Sequence, residues 1–280
     1  MGSNDVGSDP DGGDADPSVR RYRARPETVA TDRGVGPPLV LCHGTLMDRT
    51  MFAPQMEALA DDYSVVAYDT RARTDRYVGP YDLYDLADDC AALMDATGID
   101  SCVLGGMSMG GFMALRFAER YPDRLDGLVL IDTTAGPHED HEIERYGEMV
   151  DTTLEAGAVP EQLAEVVKHI LFGATTVEER PELAEAWVER WLTYPGEAVY
   201  HEVHSWLERP DFTDALDDID VPALVVHGAE DVALEPSRCE TLVDRLDAEL
   251  LTVPEAGHSS NLENPEPVNE AIEAFLERVY

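Results

Sequence analysis

Basic residues are scarce in this sequence: 20 lysines and arginines stand against 58 aspartates and glutamates, for a formal charge of −38, and Lys168 is the only lysine. A field of that sign repels phosphates, which excludes nucleic acid as a partner. Long apolar runs are also missing. No stretch approaches the ~20 apolar residues that cross a bilayer, so neither a spanning helix nor a membrane partner is expected. Residues 1–17 form a Gly/Asp/Ser tract with no apolar segment, which reads as an unfolded acidic tail rather than a signal peptide. Cysteine is sparse, four residues without CxxC or secreted-type spacing. Cys42 and Cys102 lie in apolar runs and Cys90 and Cys239 in helical patterns, as reduced core residues of a cytoplasmic protein would.

The acidic excess is spread along the chain, which reads as a solvent adaptation. Carboxylates at this density repel one another in dilute buffer, whereas near 1 M salt the screening length falls to about 3 Å. A halophilic protein is the expectation.

What is present is an alternation of short β-branched runs with longer helical patterns, the mark of a mostly parallel sheet with helices on both faces. The strand candidates are Leu39–Cys42, Ser64–Tyr68, Cys102–Leu104, Leu128–Ile131, Ala223–His227 and Leu250–Val253. Between them, Asp82–Thr97 has near-helical apolar spacing with Gly98 as its stop, Met109–Tyr121 ends before Pro122, and Pro265–Val279 closes the chain. A weak pattern in Ser18–Val35 suggests an edge hairpin. From Gly136 to Phe212 the strand signal gives way to three or four amphipathic helical stretches carrying Trp187, Trp191 and Trp206. The expected organisation is an α/β core over residues 18–135 and 213–280, with a helical lid over 136–212.

The chemistry-bearing signal lies in Cys102–Met113, which reads CVLGGMSMGGFM: an apolar strand, Gly106-Met107-Ser108-Met109-Gly110, then an apolar helix. G-x-S-x-G in a strand-turn-helix context exposes a serine hydroxyl on a sharp turn whose flanking positions have no room for side chains. The stretch carries neither G-x-G-x-x-G nor a Walker lysine, so it is not a phosphate loop. A serine at neutral pH needs a base and a group to hold that base. His258 in Val253–His258 and Asp231 in Val225–Asp231 each follow a strand, in the chain order Ser108, Asp231, His258. Asp132, at the end of Leu128–Ile131, competes for the acid role. Glu230 is read as solvated, and His227 as a shaper of the acid loop. The pairs His138/His141 and His201/His204 lack an open three-ligand pattern and read as polar helix surface, so no metal is expected.

An acyl-transfer site also needs donors for the developing oxyanion. The backbone amides of Met109, directly after the serine, and Thr45, in the turn Leu41-Cys42-His43-Gly44-Thr45, are the candidates, with His43 bracing the turn. Leu46, Met107, Trp187 and Trp191 are the substrate-pocket candidates.

With these segments in order, the chain resembles the α/β-hydrolase superfamily over roughly Pro38–Tyr280. GGMSMGG, the AGHSSNLENPEPVNEAIEAFL tail and the lid position resemble its esterase and 3-oxoadipate enol-lactonase-like branch. The resemblance implies hydrolysis of a small-molecule carboxylic ester or lactone through an acyl-enzyme, with no cofactor. C–C bond hydrolases, thioesterases and cofactor-free perhydrolases share the triad, and a non-catalytic binding protein of the same fold is the alternative of another class. One stretch departs from the family: where D-x-R-G-x-G-x-S is common, this chain has Asp69-Thr70-Arg71-Ala72-Arg73-Thr74-Asp75.

Overall fold

The computed structural model describes residues 19–22, 28–74, 77 and 79–280; the expected acidic tail, 1–17, lies outside them. Its strands form one eight-stranded sheet in the order β1-β2-β4-β3-β5-β6-β7-β8. At one edge, β1 (Val19–Tyr22) and β2 (Thr28–Arg33) form an antiparallel pair, and β2 runs antiparallel to β4 (Ser64–Tyr68). From there β4, β3 (Pro38–Cys42), β5 (Cys102–Met107), β6 (Leu125–Ile131), β7 (Ala223–Gly228) and β8 (Glu249–Val253) are all parallel. The central strands β5 and β7 are buried along their whole length, which is why they read as near-continuous apolar runs instead of alternating ones. β8 is the other edge and keeps only Val253 buried.

The helices of the core are α1 (Ala53–Leu59), α2 (Leu83–Thr97), α3 (Met109–Arg120), α9 (Glu240–Leu246), α10 (Ser260–Glu263) and α11 (Pro265–Val279). Asp82 caps α2 in a reciprocal box with Asp85, and Gly98, at φ 75°, ends it; this is the stop that its sequence announces. Its apolar positions Leu83, Leu86, Ala87, Cys90, Leu93 and Met94 all face the core. In the layers flanking the sheet, α1 packs on α11 and α2 on α3.

Between β6 and β7 run α4 (Asp140–Ala156), α5 (Glu161–Leu171), α6 (Ala174–Glu179), α7 (Pro181–Trp191) and α8 (Gly196–His204). The sequence suggested three or four helices here. Pro160, Gly173, Pro181 and Pro195 stand at the starts of α5 to α8 and divide the region more finely, since proline cannot continue a preceding helix but suits the first turn of the next. All four cysteines are buried and unpaired. No helix of the described residues is long and apolar enough to cross a membrane.

Candidate active site

Strand β5 ends at Met107 and helix α3 begins at Met109, so Ser108 must make the whole turn, at φ 50° and ψ −112°. Such a conformation is strained for an L-residue and persists only where the surroundings impose it. They do so here: the Ser108 amide donates to Ile131 O (2.8 Å), and Ser108 O accepts from Thr133 Oγ1 (2.9 Å) and from the Phe112 amide (3.0 Å). The flanking glycines are required by contact. A Cβ on Gly106 would lie 2.2 Å from Gly110 O, and one on Gly110 would lie 2.2 Å from Cys42 O.

The turn aims Ser108 at an imidazole. Ser108 Oγ is 2.8 Å from His258 Nε2, and His258 Nδ1 is 2.8 Å from Asp231 Oδ2. A carboxylate at Nδ1 requires the Nδ1–H tautomer, which leaves the Nε2 lone pair free to accept from the serine hydroxyl. Asp231 Oδ1 in turn accepts from the amides of Ala233 (2.8 Å) and Leu234 (3.0 Å). Burial favours the neutral acid, but the His258 and His227 imidazoles more than offset it and hold Asp231 well below the usual carboxylate range. Burial pushes His258 down, and the Asp231 carboxylate more than restores it, for a net rise.

Asp132 is adjacent but occupied elsewhere. Its Oδ1 accepts from the Gly228 amide (2.8 Å), and its Oδ2 from the amide and hydroxyl of Ser260 (2.9 and 2.7 Å). It ties β6 to β7 and to the turn after His258. His227, behind the acid, places Nε2 2.8 Å from Leu234 O and 3.1 Å from Asp231 Oδ2. Glu263 went unnoticed in the sequence, although it sits in the conspicuous AGHSSNLENP segment. It accepts from the amides of Gly257 (2.9 Å) and Ser259 (3.1 Å), one residue either side of His258, and from Gly173 at the start of α6 (2.8 Å).

On the other side of Ser108, His43 is fully buried, with Nδ1 2.8 Å from Gly44 O and Nε2 3.0 Å from the Thr70 amide. Burial and the nearby Arg73 charge lower it to about 4, so it braces the turn as a neutral ring. The Met109 amide opens α3 and has no intrahelical partner. Among the described residues, neither it nor the Thr45 amide donates to a protein acceptor.

Thr45, Leu46, Ser108 and His258 open onto one cavity of about 100 Å³. Of the four expected pocket residues, only Leu46 lines it. Met107 is turned under the His43-Gly44 turn, where a Cβ on Gly44 would meet its Sδ at 2.3 Å. Trp187 and Trp191 sit on α7, which packs on α5 and α6 within the helical insertion between β6 and β7, with Trp191 stacked on Phe172 at 6.2 Å. The cavity wall comes instead from α5, the mutually packed α4 and α8, and the turn after α8, through Tyr146, Val150, Val167, Val199, Val203 and Trp206.

Two further readings change. His138 is no surface residue: it is 7% exposed, lines the cavity and meets Trp206 edge-on at 5.2 Å. Glu230 is not simply solvated, because it receives the Thr175 amide (2.9 Å) and hydroxyl (2.5 Å) in the first turn of α6.

This sheet order, with a strained serine between β5 and α3 and its partners on the loops after β7 and β8, belongs to one class. The family model for the α/β hydrolase fold matches residues 37–265, and the chain is a member of that hydrolase family. The chain is 28% identical over 244 residues to 3-oxoadipate enol-lactonase 2 of Acinetobacter baylyi, covering 86% of this chain and 89% of that protein. Among solved structures, a thermophilic esterase from Thermogutta terrifontis superposes with a TM-score of 0.86 at 33% identity, over 95% of this chain and 99% of the other. The enol-lactonase from Burkholderia xenovorans LB400 gives 0.81 at 26% identity, over 90% and 96%.

Proposed function

We propose that the protein is a serine esterase acting on small neutral acyl esters. The observation that carries this reading is the hydrogen-bonded chain Ser108–His258–Asp231 at the mouth of an apolar cavity. In this mechanism His258 Nε2 takes the proton of Ser108 Oγ as that oxygen attacks the ester carbonyl. The tetrahedral oxyanion is received by the Met109 and Thr45 amides. The imidazolium, stabilised by Asp231, returns the proton to the leaving alcohol, and a water activated by the same Nε2 then releases the acid. The buried, unpaired state of all four cysteines fits work in a reducing cytoplasm.

The cavity wall argues for a neutral ester over a carboxylate-bearing lactone. Among the described residues it carries no Arg, Lys, Asp or Glu, and its one lid imidazole, His138, is lowered to about 4 by burial and by Arg209, hence neutral. A substrate carboxylate would be desolvated there without a cation. Size matters as well: the cavity, about 100 Å³, is smaller than the ~150 Å³ that admits benzene in an engineered protein core. Among p-nitrophenyl esters, kcat/KM is expected to peak in the acetate-to-butyrate range and to fall by about tenfold or more at octanoate. A steady rise through decanoate would contradict this.

The direct test is covalent labelling with a fluorophosphonate in molar KCl. Wild type should be labelled stoichiometrically and Ser108→Ala not at all; a folded wild type that stays unlabelled would overturn the reading.

The two aspartates should separate cleanly. Asp231→Asn keeps the loop but favours the wrong His258 tautomer, with an expected loss of about 10⁴-fold in kcat. Asp132→Asn turns an amide N–H₂ toward donors that need an acceptor, so it should lower the melting temperature while the folded fraction keeps kcat within about tenfold. Reversal of these two phenotypes in thermal melts and ester assays would move the acid role to Asp132.

A further inference from the structure

The turn that carries Thr45 is closed by the Met47 amide donating to Gly44 O at 3.1 Å, and its third residue, Leu46, sits at φ 62°. A positive φ at the third position of a turn favours glycine or asparagine. Leucine there is strained, and the turn's own hydrogen bond is not its only restraint. Further restraint comes from elsewhere in the chain. The Leu46 amide donates to Glu202 Oε2 at 3.1 Å, from α8 of the lid, and the same oxygen takes Arg73 Nη2 at 2.6 Å. Arg73 Nε donates to Met47 O at 2.8 Å, and its guanidinium lies 4.0 Å over the Tyr194 ring. Both side chains are buried, Glu202 at 0% exposure and Arg73 at 3%. Arg73 belongs to the very stretch in which the sequence abandons the family's usual glycines.

We propose that Glu202 is a positioning residue for the oxyanion site: with Arg73, it fixes the peptide between Thr45 and Leu46 and so holds the Gly44–Met47 turn, whose first peptide carries the Thr45 amide, against the cavity it shares with Ser108. If that peptide flipped, the Thr45 carbonyl would face the Glu202 carboxylate and the Leu46 amide would lose its acceptor. A buried ion pair contributes little net stability compared with apolar residues of the same volume, so its value lies in orientation. The inference rests on the serine-esterase reading above.

Glu202→Leu alone strands the buried Arg73 charge and threatens folding, so the informative variant removes both charges, as Arg73→Met/Glu202→Leu. It should melt cooperatively near wild type, yet lose about 100-fold in kcat on p-nitrophenyl butyrate, at the lower end for losing an oxyanion donor. KM should stay within about threefold, because a misplaced donor acts on the transition state and not on substrate binding. Inhibition by propylboronic acid, whose tetrahedral adduct needs the same donors, should weaken by a similar factor. Arg73→Met/Glu202→Gln, which keeps an oxygen for the Leu46 amide without stranding a buried charge, should recover most of the loss. A folded charge-free variant that keeps wild-type kcat and boronate affinity overturns this inference alone. A wild type inert to both fluorophosphonate and esters overturns the esterase reading, and the inference with it.

Discussion

Ser108→Ala is expected to lower kcat on p-nitrophenyl butyrate by about 10⁶-fold, with His258→Ala costing about as much and the double variant no more than either. The non-additivity follows from the hydrogen-bonded chain: Nε2 has one proton to accept, and once Oγ is gone the imidazole has nothing to activate. Some rate over water should survive, since the Met109 and Thr45 amides would still polarise a bound carbonyl. Stability is expected to change little. Gly106 and Gly110 still permit the turn, the bonds of the Ser108 amide and carbonyl are backbone-mediated, and alanine brings no new contact. Ester assays paired with circular dichroism melts would check both halves. Single-variant losses that multiplied in the double variant would mean that the two side chains act independently.

The parts of this site that were legible in the sequence are those where backbone geometry dictates residue type. The elbow needs glycine at 106 and 110 whatever the substrate, and the loops after β7 and β8 announce themselves by polar residues that follow short apolar runs. The parallel sheet was legible for the same reason, because strands buried on both faces leave unbroken apolar runs. Strand ends were less so: β5 and β6 extend beyond the apolar runs to Met107 and back to Leu125, since pairing with neighbours, rather than local composition, sets where a ladder stops.

The pocket was misread because large aromatics attract attention while helix phase decides what they face. Trp187 and Trp191 are four apart on α7 and are buried within the helical insertion where α7 packs on α5 and α6. The cavity stripe on α4, with Tyr146, Met149, Val150 and Thr153, and its counterpart Val199, Val203 and Trp206, carries the same i, i+3, i+4, i+7 periodicity. Nothing in that periodicity says which apolar stripe meets Ser108 and which meets another helix. Glu202 and Glu263 were invisible for a related reason. In a chain with 58 acidic residues, a buried carboxylate that receives backbone amides looks like any surface one.

The remaining acidic residues lead to the largest stability effect expected. Several described arginines are already engaged, Arg49 with Asp69, Arg71 with Asp89, Arg73 with Glu202 and Arg238 with Glu142, so the −38 excess falls on carboxylates with few cations to meet them. Their mutual repulsion destabilises the compact state most in dilute buffer, where the Debye length at 0.1 M is about 10 Å, and least near 1 M, where it is about 3 Å. If screening recovers about 5 kcal/mol, the melting temperature should rise by roughly 10–20 °C between 0.1 and 1 M KCl. Two competing causes give different curves. Screening is nearly complete by about 1 M, so most of the gain should precede that point, whereas exclusion of a kosmotrope from the surface strengthens apolar burial progressively and would be reproduced by sucrose. A melting temperature flat in KCl, or one that rises as much in sucrose as in salt, would mean that charge repulsion is not what limits this fold.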